Sequence, residues 1–294
     1  MTSKQSGVAL VQVLLISAII AIVALHFNKT AQRNVDIARQ YQQRLEAELA
    51  MRSAKTAVLS RFYQTDTLAL FNHSGQGTSW YCNGKPVTLS PGVTLQVKSM
   101  LGKLSVSLPQ DELLVPLFRA EQIPDEQWGQ FLPALHDWTD VDDNVSPFGA
   151  EHAYYNASDK AGPRNGPLQS VAEIRALPGI SDTQYERIGP NLTHHYISTF
   201  APLCASAPLV RALFNEDIAQ QLIILGNGQQ DIEQGWQQIF GSFVPYDGLL
   251  DVFPGNLFEV TLSVTRGDVK LDHRFEILIQ THQSREPILQ LSYY

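Results

Sequence analysis

Gly7-Val8-Ala-Leu-Val-Gln12-Val-Leu-Leu-Ile-Ser17-Ala-Ile-Ile-Ala-Ile-Val-Ala-Leu25 is the stretch on which the reading of this chain turns. From Val8 to Leu25 there are 18 residues, and only Gln12 and Ser17 are polar. A helix rises about 1.5 Å per residue, so such a run nearly crosses a hydrocarbon layer roughly 30 Å thick. Lys4 is the sole charge ahead of it, which puts the N-terminus on the cytoplasmic side and the rest of the chain outside. A cleaved secretory signal is the competing reading. Against it stand a very short leader and the lack of a small-x-small cleavage site after the apolar run. Neither Gly nor Pro occurs from Val8 to Ser74. Val35, Ala38, Tyr41, Leu45 and Leu49 recur at helical spacing, followed by Ala50, Ala54, Ala57 and Val58, with Arg33, Arg39, Arg44, Glu46 and Glu48 among them. One helix is therefore expected to leave the membrane, become amphipathic and lay an apolar stripe on a folded domain.

The remainder predicts an α+β domain. Val93, Leu95 and Val97, then Leu104, Val106 and Leu108, alternate with polar residues around Gly102 and predict a hairpin. Val260, Leu262 and Val264 precede the turn Arg266-Gly-Asp268. Phe275, Ile277 and Ile279 follow, and beyond Gln283-Ser-Arg-Glu-Pro287 come Leu289, Leu291 and Tyr293. These are antiparallel strands with one buried face, a sheet for the helix stripe. Between the two strand groups the period changes. Leu113–Arg119, Glu126–Asp137, Val171–Leu177, Asp182–Ile188, Leu209–Gly226 and Glu233–Phe240 read as helices separated by Pro, Gly and Asn. A helical block inside a sheet domain is an insertion.

The composition, 44% apolar and 17% charged, supports a packed core rather than disorder. A net charge of −8 disfavours nucleic acid and anionic membrane surfaces as non-specific partners. No G-x-S-x-G, H-E-x-x-H, P-loop or G-x-G-x-x-G occurs, so no catalytic reading is made. Two cysteines, Cys82 and Cys204, form no CxxC pair. They either make one disulfide in an oxidising compartment or remain two small apolar side chains. The adjacent His194 and His195 are expected to point in different directions as surface polarity. Trp80, Trp128, Trp138 and Trp236 are expected to pack in the core or at its edge. Leu177-Pro-Gly-Ile180 has the form of a helix-hairpin-helix turn. With only Arg175 and Arg187 close by, it reads as a packing turn rather than a phosphate grip.

The most distinctive internal stretch is Asp137-Trp-Thr-Asp140-Val-Asp142-Asp143-Asn144-Val-Ser-Pro-Phe-Gly149-Ala-Glu151. From Glu121 to Asp159 there are nine Asp or Glu and no Lys or Arg. Crowded carboxylates repel unless a cation balances them, and hard oxygen ligands in a loop suit Ca²⁺. Asp140, Asp142, Asn144 and Glu151 fall at positions 1, 3, 5 and 12 of an EF-hand-like spacing, although position 6 is Val145 where Gly is wanted. The alternative is a solvated acidic loop, with Trp138 as its anchor.

The short Lys-containing leader ending in Gly before an apolar helix resembles that of type IV pilins and type II pseudopilins. The resemblance implies cleavage by prepilin peptidase after Gly7 and methylation of the new N-terminus, Val8. Most members carry Glu as the fifth mature residue, where it pairs with a neighbour's N-terminal amine; this chain has Gln12. A neutral residue there, a helical insertion, and the pattern D-W-x-D-x-D…G-A-E…Y-Y followed by Arg164-Asn-Gly-Pro167 and the Leu177–Ile180 turn resemble the K-type minor pseudopilins of type II secretion (general secretion pathway protein K family). That likeness implies a pilin-like fold with a long membrane and stalk helix on an antiparallel sheet, interrupted by an inserted all-α domain. Its boundaries are a leader at 1–7, a transmembrane helix at 8–27, the pilin-like domain at 28–109 and 249–294, and the insertion at 110–248. It implies calcium on Asp137, Asp140, Asp142, Asp143 and Glu151. It also implies a single-pass inner-membrane protein with a periplasmic domain. The implied partners are I- and J-type minor pseudopilins and the major pseudopilin, and the implied place is the pseudopilus tip, where the chain initiates or limits assembly. The alternative is a bitopic inner-membrane envelope protein whose periplasmic domain binds calcium or another ligand.

Overall fold

A computed structural model describes residues 6–65, 67–71, 79–157, 161–228, 231–241, 244–246, 248–280 and 288–293. Helix α1 (Ser6–Gln64) runs for 59 residues without a break, roughly 90 Å at the usual rise. Its segment from Leu10 to Phe27 exposes every large apolar side chain, among them Leu14, Ile16, Ile20 and Val23. This one helix is long and apolar enough to cross a membrane. Beyond it, Arg44 and Glu48 pair at i,i+4 over 3.1 Å on a wet face.

The stripe that α1 buries follows the predicted spacing at Ala50, Ala54 and Val58 but departs from it in the turns before Ala50. Ala47, Val58 and Phe62 are buried, with Met51 and Ala54 half-buried between them, while Val35, Tyr41, Leu45 and Leu49 face solvent. Two positions along a helix turn it by about 200°, so Leu45 and Leu49 lie across the helix from Ala47 and Met51. Both faces are apolar at helical spacing, and the sheet selects the one whose small residues allow close approach. Ala47 meets Val93 and Val264 there, and Phe62 packs on Trp80 and Phe258 with ring centroids 5.2 and 5.4 Å apart.

After α2 (Thr67–Phe71), strands β1 (Val87–Ser90) and β2 (Val93–Ser99) form a hairpin. Its turn uses Gly92 at φ +68°, a conformation open to glycine. The expected hairpin across Gly102 is not formed. A 3-10 turn at Met100–Gly102 carries the chain off the sheet, and β3 (Leu104–Ser105) pairs in parallel with β4 (Leu192–Thr193) in a separate two-stranded sheet. A Cβ on Gly102 would stand 2.2 Å from the Cys204 carbonyl oxygen, so this exit requires glycine. The chain returns at β5 (Leu257–Arg266), followed by β6 (Val269–Ile279) and β7 (Ile288–Tyr293). The antiparallel sheet has the order β1-β2-β5-β6-β7, with β2 and β5 in register from Val93–Val264 to Ser99–Phe258. The turn at Gln283 to Pro287 lies outside the described residues.

Between β2 and β5 stand α3 (Asp111–Ala120), α4 (Asp125–Thr139), α5 (His152–Asn156), α6 (Asp182–Ile188), α7 (Ala207–Leu213), α8 (Glu216–Gly226) and α9 (Ile232–Phe240). They share a core of their own around Phe118, Phe131, Leu135, Tyr155, Leu209 and Leu222. Two expected helices differ in detail. Val171–Ala176 is a 3-10 helix, and the expected helix from Leu209 to Gly226 is two. Phe214 is extended, and the Asn215 side chain accepts from the Ile218 N–H at 3.0 Å, capping a fresh start.

The block also covers one end of the polar face of the sheet. Glu259 and Glu276, opposite each other on β5 and β6, are buried; Glu259 is held by Arg274 and by Lys98 at 3.8 Å, and Glu276 lies 3.3 Å from His195. Cys82 and Cys204, 122 residues apart, form a disulfide that ties the insertion to the strand side. Closing a loop of that length removes about 4–5 kcal/mol of unfolded-chain entropy in the simple chain account.

Candidate metal centre

The acidic stretch joins the end of α4 to the start of α5. Trp138 and Tyr155 make its floor, edge to face at 5.2 Å, and both are buried. Asp137 points inward from the last turn of α4 and is 0% exposed. Both its carboxylate oxygens accept the Ser146 N–H at 3.2 Å, which folds the loop back over the helix end. A loop this tight bends at Phe148, φ +67°, a left-handed conformation that an aromatic residue rarely adopts.

Glu151, just ahead of α5, is 5% exposed, and neither of its carboxylate oxygens accepts a hydrogen bond of ordinary geometry among the described residues. Burial pushes its pKa up first, and the charges of Asp137, Asp140 and Asp143 push it further; the His152 N–H offsets this only in part. Asp140, at the C-cap of α4, is raised by burial and then by Asp142, and its buried Oδ1 also lacks a donor. Burial likewise raises the Tyr155 hydroxyl, which has no hydrogen-bond partner among the described residues. Buried acceptors left without donors cost free energy unless something positive meets them.

Of the sequence-predicted ligands, Asp137, Asp140 and Asp143 lie close enough to raise the pKa of Glu151, and Asp142 and Asp137 close enough to raise that of Asp140. The Asp142 Oδ1 also accepts the Asn144 N–H at 2.8 Å in a local turn. Two groups join the cluster that the sequence does not single out. His152 brings Nδ1 to 3.5 Å from Asp143, and one ligand atom each from Asp143, Glu151 and His152 lie within 4.8 Å of one another. Asn165, at φ +51°, donates to the Asp142 carbonyl at 2.9 Å and to the Asp143 carboxylate at 2.8 Å, and its own Oδ1 is buried without a donor. The signals were adjacency to Glu151 for His152 and a turn-forming Asn-Gly for Asn165.

Two other sequence features also find their places. Gly179 of the Leu177–Ile180 turn packs on α4, where a Cβ would stand 2.3 Å from the Gln127 carbonyl oxygen, and Arg175 is engaged by Glu186 and Asp182. The expectation that His194 and His195 diverge is corrected. Following the short β4, their rings lie 4.2 Å apart at 34°, half-buried between the insertion and the sheet.

Comparison with known proteins brings the same features forward. The family model described as type II secretion system (T2SS), protein K, matches residues 98–194, from the end of β2 across the acidic loop to just past β4. Type II secretion system protein K of Klebsiella pneumoniae is 28% identical over 211 residues, 65% of this chain and 63% of the relative. That match therefore spans slightly less than two thirds of the relative's length. The putative type II secretion system protein K of Escherichia coli K12 is 24% identical over 269 residues, 80% of this chain and 78% of the relative. A chain in the crystal structure of the GspK-GspI-GspJ complex from enterotoxigenic Escherichia coli superposes with a TM-score of 0.56 at 17% identity. The superposition covers 87% of this chain and 98% of that one, a likeness of fold.

Proposed function

We propose that the chain is a protein K of a type II secretion system, the family it resembles, and so a minor pseudopilin at the tip of the periplasmic pseudopilus. Helix α1 holds it in the inner membrane and later serves as its packing stalk, with the α+β head in the periplasm. Prepilin peptidase cuts between Gly7 and Val8, and Val8 is methylated. Gln12, uncharged, makes no pair with the amine of a subunit above, as suits a chain with none above it. The partners are I- and J-type minor pseudopilins, the kind of assembly named in the solved Escherichia coli complex, together with the major pseudopilin. The role is one of assembly, initiating or limiting the filament.

The observation that carries this reading is the helical block set between two strands that are direct neighbours in the sheet. It widens the head without disturbing the sheet on which α1 packs, so stalk packing is preserved while addition above is blocked. The test is deletion of residues 110–248 with a short linker across the β2–β5 junction. Loss of control over pseudopilus length is expected. Unchanged length, or finding the intact chain along the filament shaft, removes the tip assignment.

We further propose that the acidic cluster holds calcium. The residues fit such an ion: Glu151 and Asp140 present buried oxygens without donors, beside Asp137 and Asp143, in a setting of oxygen donors only apart from His152. Asp137, Asp140, Asp142, Asp143 and Glu151 are the residues assigned to it. Bound there, calcium would supply the charge that this loop lacks and tie the α4 end to α5.

A further inference from the structure

A second charged region lies at the seam between the sheet and the insertion, lined by none of the residues assigned to the metal. A cleft of about 460 Å³ opens there, lined by Lys98 of β2, Lys103 after the 3-10 turn, Glu121 after α3, Arg187 of α6, and Asn191. Cys204 and Gly102 form part of its wall, so the disulfide and the close Gly102–Cys204 approach fix its shape. In a chain of net charge −8 the lining carries three cations and one carboxylate.

Lys98 pairs with Glu259, but Lys103 and Arg187 are poorly matched within the protein. The Lys103 ammonium is half-buried and makes no hydrogen bond or ion pair among the described residues. Burial lowers its pKa most, Glu259 opposes this, Lys98 and Arg274 add to it, and Glu276 opposes it more weakly. Glu259 is already engaged by Arg274 and by Lys98. Arg187 reaches Glu121 only at 3.9 Å, through Nε, and the rest of its fork of N–H groups has no partner among the described residues. The Asn191 side-chain Oδ1 accepts from Ser206 Oγ at 2.9 Å, and its N–H₂ end has no partner among the described residues. A cation taken partly out of water with no counter-charge is costly, and an anion in the cleft relieves that cost.

We propose that this cleft is a carboxylate-binding site, with Lys103 and Arg187 as its charged contacts. A separate ammonium, a planar guanidinium and a carboxamide donor suit the flat two-oxygen end of a carboxylate. Such a group comes either from an acidic segment of a partner polypeptide or from a free small carboxylic acid.

Full-length protein in neutral detergent, with calcium in excess throughout, is titrated calorimetrically at fixed ionic strength. The probes are succinate, an acetylated Asp-Glu-Asp amide peptide, and sodium phosphate. Saturable one-site binding of a carboxylate probe is expected, weakened at least tenfold in both Lys103→Met and Arg187→Gln. Tighter binding of the peptide assigns the site to a polypeptide segment; equal or tighter binding of succinate assigns it to a free acid. Phosphate binding as tight as either carboxylate overturns the carboxylate assignment. Absence of saturable binding, or binding unchanged by the substitutions, overturns the site itself. Should Lys103→Met fail to fold, Arg187→Gln decides, because that side chain is half-exposed and its carboxylate contact is the distant Glu121.

Discussion

Gly149 lies so close to Asp137 that a Cβ at position 149 would stand 2.0 Å from the Asp137 Oδ2. The loop has folded down until backbone touches the buried carboxylate, and there is room for a hydrogen only. Gly149→Ala therefore pushes Asp137 off its contact with Ser146. A loss of about 1–3 kcal/mol is expected, in the range of overpacking substitutions, together with weakened calcium binding. Urea melts and calcium titration of the variant measure both.

Calcium removal is the direct test of the cluster. Wild-type protein is expected to melt at a higher temperature in calcium than in chelator, because an ion that binds only the native state stabilises it by mass action. Glu151→Gln keeps the shape, removes one charge and is expected to abolish most of that difference. Identical melts of the wild type in the two buffers would dismiss the metal assignment.

The disulfide makes a separate prediction. Replacing both Cys82 and Cys204 by serine is expected to cost about 2–5 kcal/mol, read as a lower urea midpoint. Adding reductant to the wild type is expected to reproduce the loss, and reductant should leave the double variant unaffected.

Processing at the N-terminus is read by mass spectrometry of the mature chain. A first residue Val8 carrying one methyl group is expected. An intact Met1 would instead mark a simple bitopic envelope protein.

Acid sensitivity follows from His194. Burial, and then the neighbouring His195, lower its pKa from the ordinary value of 6.5, against the opposing pull of Glu276 and Glu173. The unfolded chain therefore takes up the proton more readily than the fold, so stability from this group is full above pH 6.5 and falls as pH drops below it. His273, lowered by burial and by Lys55, acts in the same direction. Melts between pH 7.5 and 5.5 should show the decline, and His194→Gln should shrink it. A wild-type melt flat across that window contradicts the assignment.

The sequence shows α1 and the strands of the sheet because both rest on local periodicity: an unbroken apolar run, and alternation at Val260–Val264 and Phe275–Ile279. Periodicity misleads where two partners compete for the same pattern. Leu104 and Val106 alternate like the second strand of a hairpin, but the tight Gly102–Cys204 approach sends them into the insertion's core. Leu45 and Leu49 repeat as well as Ala47 and Met51, and only the sheet decides between the two faces. The acidic loop is visible as a run of unbalanced charge. His152 and Asn165 are not, since they join it through a turn and a helix start that tertiary packing creates.

The pairing of β2 with β5 also sets an order on folding. Strand β2 leaves the translocation channel long before its partner, with the entire insertion to come between them. Cys204 arrives before β5, and the insertion has a core of its own to fold around. A disulfide made at that stage anchors the folded block beside β2 and roughly halves the span of free chain that β5 must close. Each halving eases closure by only about 0.6 kcal/mol. The larger effect is spatial, because the docked block stands beside β2 while that strand still waits, edge exposed, for the three strands β5 to β7. Oxidation in the periplasm thereby becomes a step in the timing of the sheet as well as a clasp on the finished head.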